Sequence, residues 1–471
     1  MTDKLELGEA IDINKIMRLA VRSAEKQAEL SPVFLKRASF ASSSVSTGSL
    51  CIDRILGGGI PACRIVGISG PERSGKTLLG TQIGFNQVKK RDGFFVLLDA
   101  EGSTDPIFLA ARGIDYELFK GRRNKAGDLL PDEVDYVYLY QPSTVEQIVN
   151  YIHTISNSLP ENRNPSRPIC IYNLDSVVAL FTNELDGNLD ANKMAMHARA
   201  YATYLPIINS DLVKSGSSMV YMNQLRQRPG VAYGSPVYEP AGDALKFFSS
   251  IRLMLSTTKP KEGDKDHPFL TKEMIPGVEV KEGGVWEEPH LDNTGNVIGT
   301  DRYIYTGVKT VKNKVFTPYQ KCWIRIQFEE NGSTGHGLDP VFDVFNFLSD
   351  AGYIVPQPPK EGRKRMVKGA YSVRKCDQFN PIEELDIPSS FDYYDFKAWV
   401  KSKPDLVSVI RDKLLVSGIV YTKEEKDTFE VIRKEADEEL EVLAECETME
   451  EAEEAVEMVE KKKRGRKPKS E

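Results

Sequence analysis

From Ser46 onward the chain alternates short apolar runs with longer stretches whose apolar residues recur every three or four positions. The runs Arg64–Ile68, Phe94–Asp99, Tyr136–Tyr140, Ile169–Leu174, Met219–Asn223 and Arg252–Leu255 predict strands. Lys76–Lys90, Val145–Ser156 and Ala195–Lys214 carry the helical period. Strand and helix in alternation predict an α/β fold with a mostly parallel sheet. Ligands of such sheets sit beyond the carboxyl ends of the strands. Ahead of this body, Ile13, Ile16, Met17, Ala20 and Ala24 define one amphipathic helix within residues 11–30, ended by Ser31-Pro32. Val33–Phe40 reads as extended and Ala41–Thr47 as a Ser-rich link. This arm either packs on its own body or reaches a neighbouring subunit. Beyond the body, Val341–Leu348, Tyr394–Val400 and Asp405–Leu415 read as helices.

With 471 residues, 40% of them hydrophobic and 28% charged, one large core with appendages is expected. No apolar run approaches the roughly 18 residues of a membrane span, and Met1–Gly8 lacks a signal-peptide pattern. The expectation is a cytoplasmic protein with no membrane partner. Six cysteines are scattered without a C-x-x-C pair, which argues against a zinc site or disulfide framework. The net charge of −7 lies entirely in residues 435–471, with fourteen carboxylates against seven Lys and Arg, so the body is neutral. Local basic patches can still bind nucleic acid from such a body.

The candidate chemistry begins at Gly70-Pro71-Glu72-Arg73-Ser74-Gly75-Lys76-Thr77, a complete Gly-x-x-x-x-Gly-Lys-Thr phosphate loop between a strand and a helix starting near Ser74. The glycines let successive N–H groups converge on phosphate oxygens, and the helix start adds positive potential. Lys76 would reach the β- and γ-phosphates, and the Thr77 hydroxyl would ligate Mg²⁺. Asp175 ends the apolar strand Ile169–Leu174, the Walker B arrangement for the same ion. Glu101, after another strand, suits a general base or water-orienting group.

Ser46-Thr47-Gly48-Ser49-Leu50, the phosphate loop, Asp99-Ala100-Glu101 with Asp105-Pro106-Ile107, and Asp175-Ser176-Val177 follow in that order. Asn223-Gln224-Leu225-Arg226, Gly242–Phe247 and Val311-Lys312-Asn313-Lys314 complete the set. With these seven segments, residues 46–328 resemble the RecA family of ATP-dependent DNA recombinases, as a divergent or phage-type member. The resemblance implies a RecA-like P-loop ATPase core at 46–330, an N-terminal oligomerisation helix and strand at 1–45, and a small α+β carboxyl-terminal DNA-interacting domain at 331–421. Residues 422–471 remain as an acidic tail with a basic end.

It further implies that Glu101 activates the water attacking the γ-phosphate of ATP. Asp105 and Phe108 would contact adenine, with Phe in place of the family's usual Tyr, and Phe328 would be a second adenine-side aromatic. Gln224 would sense the γ-phosphate, and Lys312 and Lys314 would reach the ATP held by the neighbouring subunit, giving a head-to-tail helical filament. The implied partners are single-stranded DNA, a homologous duplex, and single-strand-binding and loader proteins, in a bacterial or infected host cell.

Two loops would hold DNA, one at about Glu184–Arg199 with Met194 and Arg199, the other at Leu225–Leu245 with Arg226, Arg228, Tyr233 and Gly242. Arginines would neutralise phosphates and apolar or aromatic groups stack on bases. Pro229, Pro236 and Pro240 depart from the family's second loop. Thr257–Asn296, Lys-, Glu- and Gly-rich with Trp286, looks like an insertion and reads as a solvated surface loop. The Lys360–Lys368 basic cluster is either a solvated face or a duplex-capturing patch. Glu435–Glu460, thirteen carboxylates without Lys or Arg, would compete with phosphate for basic side chains. Arg464-Gly465-Arg466-Lys467-Pro468 is either close to a minor-groove AT-hook or a generic basic end. A recombinase is the leading reading; an ATP-switched mediator filament and a hexameric motor of the same fold are the alternatives.

Overall fold

The computed structural model describes residues 44–412 except 90, 92, 111–113, 125–128, 131–132, 160–166, 183–192, 228–236, 258–276, 282–283, 293, 351–352, 357–370 and 374–384. The amino-terminal helix and strand, the Lys360–Lys368 cluster and the whole tail lie outside the described residues.

The elements in chain order are β1 (Ser44–Val45), α1 (Leu50–Leu56), β2 (Ile60–Pro61), β3 (Ile65–Gly70), α2 (Lys76–Val88), β4 (Phe94–Asp99), α3 (Pro106–Ala110), β5 (Val137–Tyr140), α4 (Val145–Ser158) and β6 (Cys170–Asp175). Then come α5 (Lys193–Ser215), β7 (Ser218–Gln224), β8 (Arg226–Gln227), β9 (Val237–Tyr238), α6 (Asp243–Phe248), β10 (Ile251–Ser256), β11 (Glu279–Val280), β12 (Trp286–Leu291) and β13 (Val297–Asn313). The chain continues as β14 (Lys321–Glu330), β15 (Ser333–Leu338), α7 (Pro340–Asp350), β16 (Ile354–Pro356), β17 (Tyr371–Val373), β18 (Ser390–Phe391), α8 (Tyr393–Lys401) and α9 (Leu406–Ile410).

Side chains explain the boundaries. Ser49 caps α1 by accepting from the Ile52 N–H, and the buried Asp343 of α7 accepts from the Leu50 and Cys51 N–H groups and from the Ser49 hydroxyl. Orphan donors at that helix start thus find acceptors. Thr144 and Gln147 form a capping box on α4. Helix α2 begins at Lys76 rather than Ser74 because Gly75, at φ 88°, turns the chain left-handed first.

Six parallel strands in the order β10-β3-β7-β6-β4-β5 form the centre of one large sheet. β3, β6 and nearly all of β7 are buried, as strands covered by helices on both faces must be. The register pairs Gly70 with Gln224, and Asp99 with Asp175. The carboxyl ends of four strands therefore finish at one edge.

On the other side of β10 the sheet continues antiparallel through β13, which pairs with β12 and β14. Within Thr257–Asn296, read as a solvated loop, β11 and β12 are instead sheet strands, while residues 258–276 lie outside the described residues. Glu287, one of the charges that suggested solvent, is a cross-strand partner. Arg302 bonds Glu287 and Glu329 at 2.9 and 2.8 Å, and Trp286 packs edge-on against Tyr305 at 4.9 Å.

Glu288 of β12 is buried in an ionic cluster that ties the insertion to the carboxyl-terminal part. Lys397 of α8 donates to Glu288 at 2.5 Å and to Asp301 at 2.9 Å, and Tyr393 donates to Glu288 at 2.9 Å. Arg325, 2% exposed, pairs with Asp339 and bonds the Tyr393 hydroxyl at 2.7 Å. Burial alone would depress Lys397, but Glu288 and Asp301 hold it above the usual lysine range. Apolar packing finishes the junction: Phe345 meets Tyr371 at 5.0 Å and Phe396 at 5.4 Å.

Removing one partner of such a cluster strands a buried charge. Lys397→Met should destabilise the fold by about 3–5 kcal/mol, read from the denaturant midpoint. Glu288→Gln combined with it should recover part of the loss, because the stranded carboxylate is gone.

Candidate nucleotide and DNA site

The phosphate loop leaves the end of β3 and its two special backbone angles lie at Arg73 (φ 58°) and Gly75 (φ 88°). The φ of Gly75 favours glycine, and an added Cβ would also stand 2.5 Å from Ile326 Cδ1 of β14, which would have to shift. The Lys76 ammonium folds back on the loop, donating to the carbonyls of Gly70 at 3.0 Å and Pro71 at 2.6 Å. Burial lowers its pKa, opposed by Asp175, Glu101 and Glu72. Phosphate oxygens, stronger acceptors than carbonyls, would take over these bonds.

Thr77 Oγ1 donates to Asp175 Oδ2 at 2.5 Å. Burial pushes the Asp175 carboxyl up to about 6; Glu101 and Asp99 add to the rise, and the Thr77 bond and Lys76 oppose it. Two hard oxygen donors side by side fit Mg²⁺, which keeps most of its waters and takes one or two protein ligands beside substrate phosphates. Asp99 accepts from the N–H groups of Ser103 (3.3 Å) and Thr104 (2.8 Å), fixing the turn that carries Glu101. The Glu101 N–H in turn reaches Asp175 O at 3.3 Å.

Glu101 Oε1 accepts two bonds, from Ser176 Oγ at 2.6 Å and from Gln224 Nε2 at 3.3 Å. Thus Lys76, Thr77, Asp175, Glu101 and Gln224 come together. A cavity of about 450 Å³ adjoins them, lined by Arg73 through Leu78, Asp105, Ile304, Ile326 and Phe328 among others. Asp105 and Phe328 therefore face the same space as the phosphate loop. Phe108 lies on α3, and its side chain is outside the described residues.

Lys312 and Lys314 lie elsewhere. Lys312 pairs across the sheet with Arg252, which pairs with Gly67, and the Lys314 N–H donates to Ser250 O beside the start of β3. The phosphate loop leaves the opposite end of β3. Lys312 Nζ donates to the carbonyls of Lys246 at 2.7 Å and Phe247 at 2.9 Å, the last turn of α6. Lys314 Nζ stands 5.9 Å from the Phe247 ring, beside a second cavity lined by Arg64, Asn209 and Phe248. Phe247 itself is 69% exposed.

A family model for the RecA N-terminal domain matches residues 15–271. Protein RecA of Thermus thermophilus is 31% identical over 312 residues, covering 66% of this chain and 72% of its own length. Protein RecA of Synechococcus elongatus is 27% identical over 379 residues, 80% and 83% of the two chains. The chain belongs to the RecA family. At the family level it is thereby a recombination and repair protein that binds ATP with Mg²⁺, binds DNA and assembles filaments.

Of the two loops expected to carry DNA in this RecA-family chain, the described flanks come close together where Gly242 meets Ala198 of α5. Residues 183–192 lie outside the described residues; Met194 and Arg199 follow on α5, with Arg199 exposed and the Met194 side chain not described. Arg226 is exposed on β8, which pairs with β9 as a small ribbon, while Arg228 and Tyr233 lie outside the described residues. Gly242 has a backbone role: at φ 82° its missing Cβ would stand 2.8 Å from Ala198 Cβ on α5. A partly buried ion pair, Glu239–Arg252 at 2.6 Å, fastens the returning leg of the second loop to β10.

Sequence reasoning did not assign roles to Ser176, Asp99, Ile304 or Ile326. For Ser176 and Asp99 the signal was available, since both flank acids already singled out. Ile304 and Ile326 come from strands far along the chain and need the fold to be found. No helix of the described residues is long and apolar enough to cross a membrane.

Protons and Mg²⁺ compete for the same carboxylate at Asp175. Its pKa is raised to about 6, where the carboxyl is half ionised, so the Mg²⁺ concentration for half-maximal ATP hydrolysis should rise as pH falls through that value. Asp175→Asn should abolish this dependence while weakening Mg²⁺ use at every pH.

Proposed function

We propose that this chain is an ATP-dependent recombinase that assembles a helical filament on single-stranded DNA and exchanges strands with a homologous duplex. The hydrogen bond from Gln224 to Glu101 carries the reading. It joins the carboxylate suited to hydrolysis to the last residue of β7, and just beyond it the chain enters the loop with Arg226 and Arg228. A Gln amide can instead donate to a γ-phosphate oxygen, so the presence of ATP and the setting of the DNA loop share one side chain.

In this mechanism the phosphate loop and Lys76 hold the β- and γ-phosphates. Thr77 and Asp175 would hold Mg²⁺, which would supply positive charge against the phosphates. Asp105, Phe108 and Phe328 embrace the adenine. Glu101 orients a water for attack on the γ-phosphorus and takes its proton. Lys312 and Lys314, facing away from the subunit's own phosphate loop, complete the site of the adjoining subunit and stabilise the transition-state charge. Contacts of this head-to-tail kind that do not close build a filament. Met194, Arg199, Arg226, Arg228 and Tyr233 hold DNA by backbone and stacking contacts, and Gly242 shapes the loop. Homology is then read by base pairing between the strands themselves. Hydrolysis releases the product. Single-strand-binding and loader proteins are the further partners of this cycle, which runs in the cytoplasm of a bacterial or infected cell.

The test is strand exchange followed by fluorescence, with single-stranded DNA, ATP, and homologous or unrelated duplex. Exchange confined to the homologous duplex and lost in Lys76→Ala is expected. DNA-stimulated hydrolysis without exchange would contradict the recombinase and favour a mediator or a motor.

A further inference from the structure

Glu101 has two neighbours on one oxygen, and they differ in kind. Ser176 Oγ lies 2.6 Å from Oε1, the length of a charge-assisted O–H···O⁻ bond, and Ser176 is 1% exposed. Gln224 Nε2 lies at 3.3 Å and its bond is exposed to solvent. The first bond is strong and sheltered; the second is weak and easily exchanged for a phosphate oxygen. The Ser176 backbone is engaged in the turn after β6, where its carbonyl accepts from the Ala179 N–H at 3.2 Å. Among the described residues its hydroxyl bonds only Glu101. Both bonds fall on Oε1, and among the described residues no donor reaches Oε2.

We infer that Ser176 is a positioning residue for ATP hydrolysis: its hydroxyl anchors Glu101 by Oε1 and aims Oε2 at the attacking water, and the anchor holds when Gln224 turns away to the γ-phosphate. The inference rests on the reading of Glu101 as the base. In the step it serves, the water oxygen bonds to the γ-phosphorus and the bond to the β–γ bridging oxygen breaks. That electron pair leaves with ADP, and the water proton passes to Oε2 of Glu101. Without the anchor the carboxylate explores rotamers once Gln224 has left, and a misplacement of about 1 Å is enough to cost rate. The geometry separates two roles: Gln224 reports the nucleotide, and Ser176 keeps the base in place meanwhile.

The test is a double-mutant cycle on DNA-stimulated hydrolysis by the full chain. Ser176→Ala should lower kcat by about ten- to a hundredfold and leave the KM for ATP within about twofold. In a Glu101→Gln background, with single-turnover rates measured at excess protein, Ser176→Ala should cost nothing further, because the group it positions is gone. Ser176→Thr, which keeps the hydroxyl, should restore most of the rate. Unchanged affinity for ATP in Ser176→Ala shows that the site still folds. An equal loss in both backgrounds, or no loss in either, would overturn the assignment. If Glu101→Gln alone leaves kcat unaltered, the fault lies in the reading of Glu101, and the positioning role falls with it.

Discussion

The register of the parallel sheet is the constraint on which the rest depends. Gly70 lies opposite Gln224, and Asp99 opposite Asp175, because four apolar strands are paired with no slip between them. A one-residue shift in any would turn its terminal polar group to the wrong face. Strands buried on both sides cannot slip cheaply, since every apolar residue would have to repack. The rigid floor then allows a buried, partly unfavourable arrangement above it: Asp175 with its raised pKa, a desolvated Lys76, and Glu101 near both.

The antiparallel half of the sheet does a different task. β14 presents Ile326 and Phe328 to the cavity and buries Arg325 among Glu288, Asp339 and Tyr393. One strand thus touches the nucleotide space, the inserted β12 and the carboxyl-terminal helix α8. β13 contributes Ile304 to the cavity, then carries Lys312 about 27 Å further on, at some 3.4 Å per residue. A side chain so placed cannot serve its own phosphate loop. In the proposed filament it serves the next one, and the carbonyls that end α6 hold it until then.

Much of this was legible in the sequence. The phosphate loop and the acids after β4 and β6 stand on apolar runs whose ends the periodicity locates within a residue or two. The inserted strands were not legible. Trp286–Leu291 holds two glutamates and a proline, a composition that reads as solvent-facing until Arg302, Arg325 and Lys397, from distant positions, are seen to neutralise it. Gly242 was legible as a loop glycine, but its close approach to Ala198 on α5, at φ 82°, needs the fold to be seen. Ser176 was in plain view, yet nothing in one dimension places its hydroxyl on Glu101.

The central claim is that an active site is shared between subunits. It is tested most directly by mixing two inactive variants, Lys76→Ala and the double variant Lys312→Ala/Lys314→Ala, on single-stranded DNA. One lacks its own phosphate-binding lysine and keeps those offered to a neighbour; the other is the reverse. Random placement in a head-to-tail chain pairs complementary halves at about a quarter of the interfaces, so ATP hydrolysis should return to about a quarter of the wild-type rate. A mixture as inactive as its components would contradict the shared site.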